Sequence, residues 1–173
     1  SSSVITFLEP ALGSGVFYSA LMREARDRAI LDAVGVETDK AYAGVAEKLV
    51  SSVGFKFIFG DFFTFASKPE NHSRFNLLCT NPPYVRHHHI EPSLKVELQT
   101  RVRDNLSLKI SGLTGLYVYF VLLSDKLLAE GGIASWLIPS EFLYVNYGQP
   151  LRDYLSKQVT LLDIHQFNPE SVQ

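Results

Sequence analysis

Val4-Ile5-Thr6-Phe7-Leu8-Glu9-Pro10-Ala11-Leu12-Gly13-Ser14-Gly15 decides how this chain folds. The first five residues form an apolar run rich in β-branched side chains, which reads as a buried strand ended by Glu9-Pro10. Ala11 to Gly15 is a glycine turn. From Val16 to about Ala29, Phe17, Ala20, Leu21 and Ala25 recur at helical spacing while charges fill the other face. A glycine turn between strand and helix lets the backbone approach a ligand closely at the helix N-terminus. Gly13-x-Gly15 is only the first half of a dinucleotide fingerprint, because Tyr18 stands where the third glycine would be; a simple tight turn is the competing reading.

Outward from that unit the pattern repeats. Asp32 to Glu37 reads as a second strand, and Glu37 lies 22 residues after Gly15. That is close to the ~20 expected of a carboxylate that binds a ribose hydroxyl pair. The alternative makes Glu37 a helix-start charge, with Thr38 or Asp39 capping a helix from Lys40 to Val50. Phe55 to Phe59 is a third strand, followed by Gly60-Asp61-Phe62-Phe63, and Phe75 to Cys79 is a fourth. Beyond it, Glu91 to Arg103 reads as helix, and Leu116 to Glu130 as an amphipathic helix closed by Gly131-Gly132. Ile133 to Ile138 is a fifth strand, Gln149 to Ser156 a short helix, and Val159 to Phe167 a sixth strand ending at Asn168-Pro169. Strands alternating with helices imply an α/β protein built on a doubly wound, mostly parallel sheet, as a single domain over residues 1–173. Glu9, Glu37, Asp61 and Asn81 all stand at strand ends. In an open parallel sheet they converge where ligands bind.

The fourth strand stops abruptly at Asn81-Pro82-Pro83-Tyr84. Asn81 offers a side-chain acceptor, Pro82 a carbonyl with no N–H of its own, and Tyr84 a flat apolar face. Together they suit a planar group carrying an exocyclic amine, with two acceptors for its hydrogens and a ring to stack on. An ordinary strand-ending turn is the plainer reading, since Asn-Pro starts many turns.

Composition narrows the function classes. The apolar runs are short, the longest being Leu116 to Leu123, so no segment has the ~20 apolar residues of a membrane span. Ser1-Ser2-Ser3 lacks the basic start and cleavage site of a signal peptide. The single Cys79 excludes internal disulfides and fits a reducing compartment. Sixteen basic and eighteen acidic residues give a net charge of −2, which is not the footprint of a stand-alone nucleic-acid binder. Three adjacent histidines, His87-His88-His89, follow Arg86 without any cysteine or paired carboxylates. They read as a loop lying over a polyanion rather than a metal site, and no metal site is expected elsewhere. Lys95, Arg101 and Arg103 fit either phosphate contacts or a solvated helix face.

With these pieces in order, the chain resembles the N6-adenine DNA methyltransferases of bacterial restriction–modification systems, the adenine methylases tied to type II restriction in particular. Phe7 to Gly15 resembles their S-adenosylmethionine motif and Asn81-Pro82-Pro83-Tyr84 their catalytic motif. Ile138-Pro139-Ser140-Glu141-Phe142 and Asn146-Tyr147-Gly148 extend the match over nearly the whole chain. About 65 residues separate Gly15 from Asn81, so the cofactor motif comes first and any recognition domain later, the gamma arrangement.

The resemblance implies the class I, Rossmann-like methyltransferase fold with S-adenosylmethionine as cofactor. Glu9, Pro10, Ala11, Gly13 and Gly15 would hold its amino-acid part, Glu37 its ribose, and Asp61 with Phe62 its adenine, while Phe120 packs against it and Asn81 borders it. Asn81 and Pro82 would accept the hydrogens of a flipped-out target adenine, and Tyr84 and Phe167 would stack on its ring. Double-stranded DNA would be gripped through a recognition domain outside this chain, with a restriction endonuclease, attached or separate, as partner. The chain is expected to be a core truncated at both ends, lacking a preceding helix and a seventh, antiparallel strand.

Three rivals share parts of this pattern. A protein-glutamine N5 methyltransferase also uses Asn-Pro-Pro-Tyr, but lacks the Glu-Pro, the histidine run and the Ile138–Phe142 block. An N4-cytosine enzyme usually has Ser where Asn81 stands. A non-catalytic module with this fold has no need to keep Asn81, Tyr84, Glu37 and Asp61 together.

Overall fold

The computed structural model of the chain describes residues 4–25, 29–42, 44 and 54–167. They fall into two compact units, residues 1–83 with 119–138 and residues 84–118 with 139–173.

The first unit is built on five strands: β1 (Val4–Glu9), β2 (Ala29–Glu37), β3 (Phe55–Phe59), β4 (Phe75–Thr80) and β5 (Leu128–Trp136). Their order is β3-β2-β1-β4-β5, and every neighbouring pair is parallel. All five carboxyl ends therefore lie along one edge, and the strand order reverses between β1 and β4. Among the described residues the strands are accompanied by α1 (Val16–Glu24), α2 (Phe62–Ser67) and a later helix, Leu116–Ser124, whose residues from Tyr119 onward belong to this unit.

Burial follows the strand pleat. Ile5 and Phe7 join Leu12, Tyr18, Ala25, Ala33 and Phe55 in one apolar cluster, with Phe17 and Leu21 of α1 packed against it. Leu8, Val34 and Leu78 point the other way and are also fully buried. Both faces are thus covered, as the sequence of a wholly parallel sheet requires. Between β1 and β4, side chains replace part of the backbone ladder. Thr6 N donates to Asn76 Oδ1 and Asn76 N to Thr6 Oγ1, both at 2.9 Å, and Asn76 Nδ2 donates to the Val4 carbonyl. At the amino end, Arg74 donates twice to Asp32, at 2.9 and 2.7 Å, with Lys56 at 3.2 Å. Burial opposes ionisation of Asp32, yet these bonds outweigh it and hold the carboxyl below its usual range.

The second unit comprises α3 (Pro92–Leu106), short 3-10 turns at His87–His89, Ser140–Leu143 and Asn146–Gly148, and a helix at Gln149–Lys157. Glu91 caps α3 by accepting the Leu94 N–H at 2.9 Å, and Ser107 ends it in a left-handed conformation. Arg152 ties the later turns together through the Phe142 and Val145 carbonyls. In chain order the two remaining helices are α4 (Leu116–Ser124) and α5 (Gln149–Lys157).

Several expectations are corrected. α4 ends at Ser124, not Glu130, where the Ser124 hydroxyl bonds back to the Val121 carbonyl. It is also not amphipathic: Tyr117 to Leu123 are buried on every side. Gly131-Gly132 is no helix stop but sits inside β5, at a register break where Gly131 adopts φ +71°. Val159 to Phe167 forms no strand, because a strand exists only as a paired ladder and none of the described residues pairs with it. The first helix is shorter than expected and β2 starts at Ala29. Lys40–Tyr42 is a 3-10 turn; most of the expected helix to Val50, together with Asn168-Pro169 and Ser171 to Gln173, lies outside the described residues.

Candidate cofactor and catalytic site

Glu9 ends β1 with its side chain fully buried. Its two oxygens accept the N–H groups of Phe17 at 3.3 Å and Tyr18 at 2.9 Å, donors that the start of α1 leaves without helical partners. Burial nevertheless outweighs those two bonds and pushes the carboxyl up to about 7. Beside it on β4, burial and then the Glu9 charge push the Cys79 thiol up to about 11.

The turn after Glu9 is fixed from several sides. Leu12 N donates to the Val36 carbonyl at 2.9 Å and Gly15 N to the Leu12 carbonyl at 2.8 Å. Gly13 and Gly15 both hold positive φ, +51° and +69°, which a residue with a Cβ rarely adopts. A Cβ built on Gly13 would meet nothing within 4 Å. The glycine is therefore not needed to avoid a protein neighbour; it leaves open space above the turn. Glu37, at the end of β2, holds this turn through Oε2, which accepts the Gly13 N–H at 2.8 Å. Its Oε1 accepts the N–H groups of Thr38 and Asp39. Pro10 is buried and Ala11 half-buried.

After β3, Asp61 is exposed and caps α2 by accepting the Thr64 N–H at 2.7 Å. Phe62 is buried and stacks on Phe120 of α4, with centroids 4.6 Å apart and planes 15° apart. Phe63 meets the same Phe120 ring edge-on. Sequence reasoning missed Phe63 as part of this aromatic cluster; the Phe62-Phe63 doublet was the available signal.

Asn81 is exposed just beyond the carboxyl end of β4, while Pro82 is buried. The Thr80 carbonyl accepts Leu137 N at 2.9 Å, which fixes the strand end from which Asn81 projects. So the first unit brings Glu9, the glycine turn and Glu37 into one bonded set, and Phe62 and Phe120 into another. It places Asn81 on the far side of the reversal point from Glu37. Tyr84 and Phe167 belong to the second unit, where both rings are about half exposed and Phe167 meets His165 edge-on at 4.7 Å. A cavity of about 520 Å³ in that unit, lined by Ser107 to Ser111, Asn146, Tyr147 and part of α5, contains none of the expected site residues.

Residues 31–172 match the family described as Eco57I restriction-modification methylase. The chain belongs to that family. The match takes in Glu37, Asp61 and Asn81 and begins after the glycine turn. Among relatives of this Eco57I-family chain, the type II methyltransferase M.AccI of Acinetobacter calcoaceticus is 31% identical over 163 residues, covering 92% of this chain and 28% of that protein. Among solved structures, the type I restriction-modification methyltransferase subunit of Streptococcus thermophilus superposes with a TM-score of 0.69 at 16% identity, over 87% of this chain and 33% of that one. A Listeria monocytogenes protein described as a class I S-adenosylmethionine-dependent methyltransferase gives 0.65 at 13% identity, over 89% and 45%. At such identities the likeness concerns the fold alone, which is the class I, Rossmann-like one. The chain spans about a third or less of the curated relatives it matches.

S-adenosylmethionine is the cofactor that this family and fold imply, and the residues present fit it. The open space over Gly13 admits a close backbone approach, and the Glu37 carboxylate stands at the end of the neighbouring strand. No helix among the described residues is long and apolar enough to cross a membrane, and none of their acidic, histidine or cysteine side chains group as metal ligands.

Proposed function

We propose that this chain is the catalytic core of a site-specific DNA adenine-N6 methyltransferase of a restriction–modification system, working in the cytoplasm on double-stranded DNA. The observation that carries the reading is Asn81-Pro82-Pro83-Tyr84 at the carboxyl end of β4, across the strand-order reversal from the Glu9–Gly15 turn. A recognition domain and a restriction endonuclease are the partners this reading calls for.

When bound, S-adenosylmethionine supplies an electrophilic methyl group. Glu37 holds the ribose, the Glu9–Gly15 turn the amino-acid part, and Asp61 with Phe62 and Phe120 the adenine end. The target base leaves the duplex because its N6 is out of reach within the stack. Asn81 Oδ1 and the Pro82 carbonyl accept the two N6 hydrogens, which draws the nitrogen towards tetrahedral geometry and frees its lone pair from the ring. Tyr84, three residues along, and Phe167 stack on the base. The chain's part in the reaction is orientation and two aimed acceptors, without a covalent nucleophile.

The test uses the protein at its natural length, incubated with methyl-labelled cofactor and duplex DNA that is then digested to nucleosides. Label in N6-methyladenine, lost in Asn81→Ala while cofactor affinity changes little, is the expected result. Label in release-factor glutamine instead of DNA moves the assignment to protein methylation.

A further inference from the structure

The turn that follows the catalytic motif is a concentration of positive or potentially positive groups with nothing to neutralise it. Arg86 precedes the 3-10 turn His87–His89, and Ile90 behind it is buried and anchors it. Arg86, His88 and His89 are exposed and His87 is half-buried. The three rings touch only one another, edge to face, at 5.2 Å between His87 and His88 and 4.1 Å between His88 and His89. In this unit Arg101 pairs with Glu97, Arg103 with Asp104, and Arg152 with carbonyls and Gln149. His89 N donates to the Arg86 carbonyl at 2.9 Å and closes the turn, while among the described residues the side chains of Arg86 and the three histidines have neither ion pair nor hydrogen bond.

The groups facing the turn are of one sign. Partial desolvation, and then the charges of His89, His87, Arg86 and Lys95, hold His88 below the usual imidazole range. The nearest carboxylate in sequence is Glu91, and it is engaged at the start of α3 with the Leu94 N–H and the Ser93 hydroxyl. Such a cluster repels itself unless an anion comes to it. Stacking the rings against one another also keeps several imidazole edges at one surface, as a row of phosphates would need.

We propose that Arg86 and the His87–His89 turn form a contact for the phosphate backbone of nucleic acid, with a grip that strengthens as the histidines take up protons. This rests on the DNA reading above and adds to it a titratable anion site. A phosphate raises the pKa of an imidazole beside it, so affinity increases as pH falls from about 8 towards 6, the range in which histidine changes charge. Arg86 supplies the part that does not titrate.

The experiment measures binding of a fluorescent DNA duplex by the natural-length protein, as a function of salt, at about pH 6 and about pH 8. The expected result for the wild type is several-fold tighter binding at the lower pH. The slope of log affinity against log salt should steepen there by ~1 for each histidine that gains a phosphate partner. His87→Gln, His88→Gln and His89→Gln made together should abolish that pH effect, and Arg86→Gln should weaken binding at both pH values. Since the turn is exposed, these variants should melt as the wild type does. Equal pH dependence in the triple variant, or none in the wild type, overturns the proposal. Transfer to adenine is read on the same samples: label with pH-independent binding removes only the histidine contact, whereas absent binding together with absent label removes the DNA reading as well.

Discussion

Glu37 Oε2 accepts the Gly13 N–H at 2.8 Å, so the residue expected to bind ribose already holds the turn expected to bind the rest of the cofactor. A carboxylate has about four acceptor positions. Three are filled by Gly13, Thr38 and Asp39. A ribose diol needs two, so one backbone bond must yield, and Gly13 faces the open side. The amide resonance of Gly13 should therefore shift on cofactor addition more than those of Thr38 and Asp39. Glu37→Gln turns one acceptor into a donor aimed at other donors. It should weaken cofactor binding at least ~ten-fold and lower stability by about 1–2 kcal/mol. Equilibrium dialysis and denaturant melts check the two parts separately, and unchanged binding would remove Glu37 from the site.

Gly13→Ala separates strain from occupancy. The new methyl meets no protein atom, so only the positive φ resists it, at about 1–2 kcal/mol. Cofactor affinity should fall by more than that strain explains, because the methyl enters the space above the turn. Equal losses of stability and binding energy would mean the space is not the cofactor's.

Phe120→Ala removes a ring that is nearly buried and shared by Phe62 and Phe63, at about 3–5 kcal/mol of stability. Phe120→Leu keeps most of the volume and should restore much of that loss, while cofactor affinity stays reduced if the aromatic face matters. Full recovery of both would make Phe120 a core residue and nothing more.

Glu9 gives a pH prediction whose sign follows from its environment. Its carboxyl is pushed up to about 7 from an ordinary value of 4.5. The folded chain therefore binds its proton more tightly than the unfolded chain does. The stabilisation this provides is complete below pH 4.5, fades between 4.5 and 7, and is absent above 7. The full difference is on the order of 3 kcal/mol. Denaturant midpoints of the wild type should fall across that window relative to Glu9→Gln, whose own curve lacks this step. Parallel curves would show that the carboxylate is accommodated by its two N–H donors.

The parts of the fold legible in the sequence were those with local punctuation. β3 carries its five residues between two glycines, and β4 is stopped by two prolines. α3 shows its acidic cap and proline at the start. α4 and β5 were misdivided because Leu116 to Leu123 is apolar without period and Leu127-Leu128 resumes after Ser124-Asp125-Lys126, a polar interruption that reads equally as the solvent face of a longer helix; the Ser124 hydroxyl that ends the helix looks like any other serine. Val159 to Phe167 has strand composition, but composition does not supply a partner strand. Of the site, Glu9, Glu37, Asp61 and Asn81 were visible because each ends or follows an apolar run. What each carboxylate bonds to was not visible, since Phe17, Tyr18 and Gly13 are reached through space rather than along the chain.

The bonds between Thr6 and Asn76 reach beyond holding two strands together. They forbid β1 from sliding along β4, and the register they protect sets Phe7 opposite Leu77 and Leu8 opposite Leu78. Glu9 then stands level with Cys79, and Asn81 lies two residues further out, about 6–7 Å at the usual strand rise. A carboxamide near the floor of the sheet thus acts as a gauge. It measures off the offset between the buried carboxylate and the exposed amide from within the sheet, several residues short of the carboxyl ends of both strands.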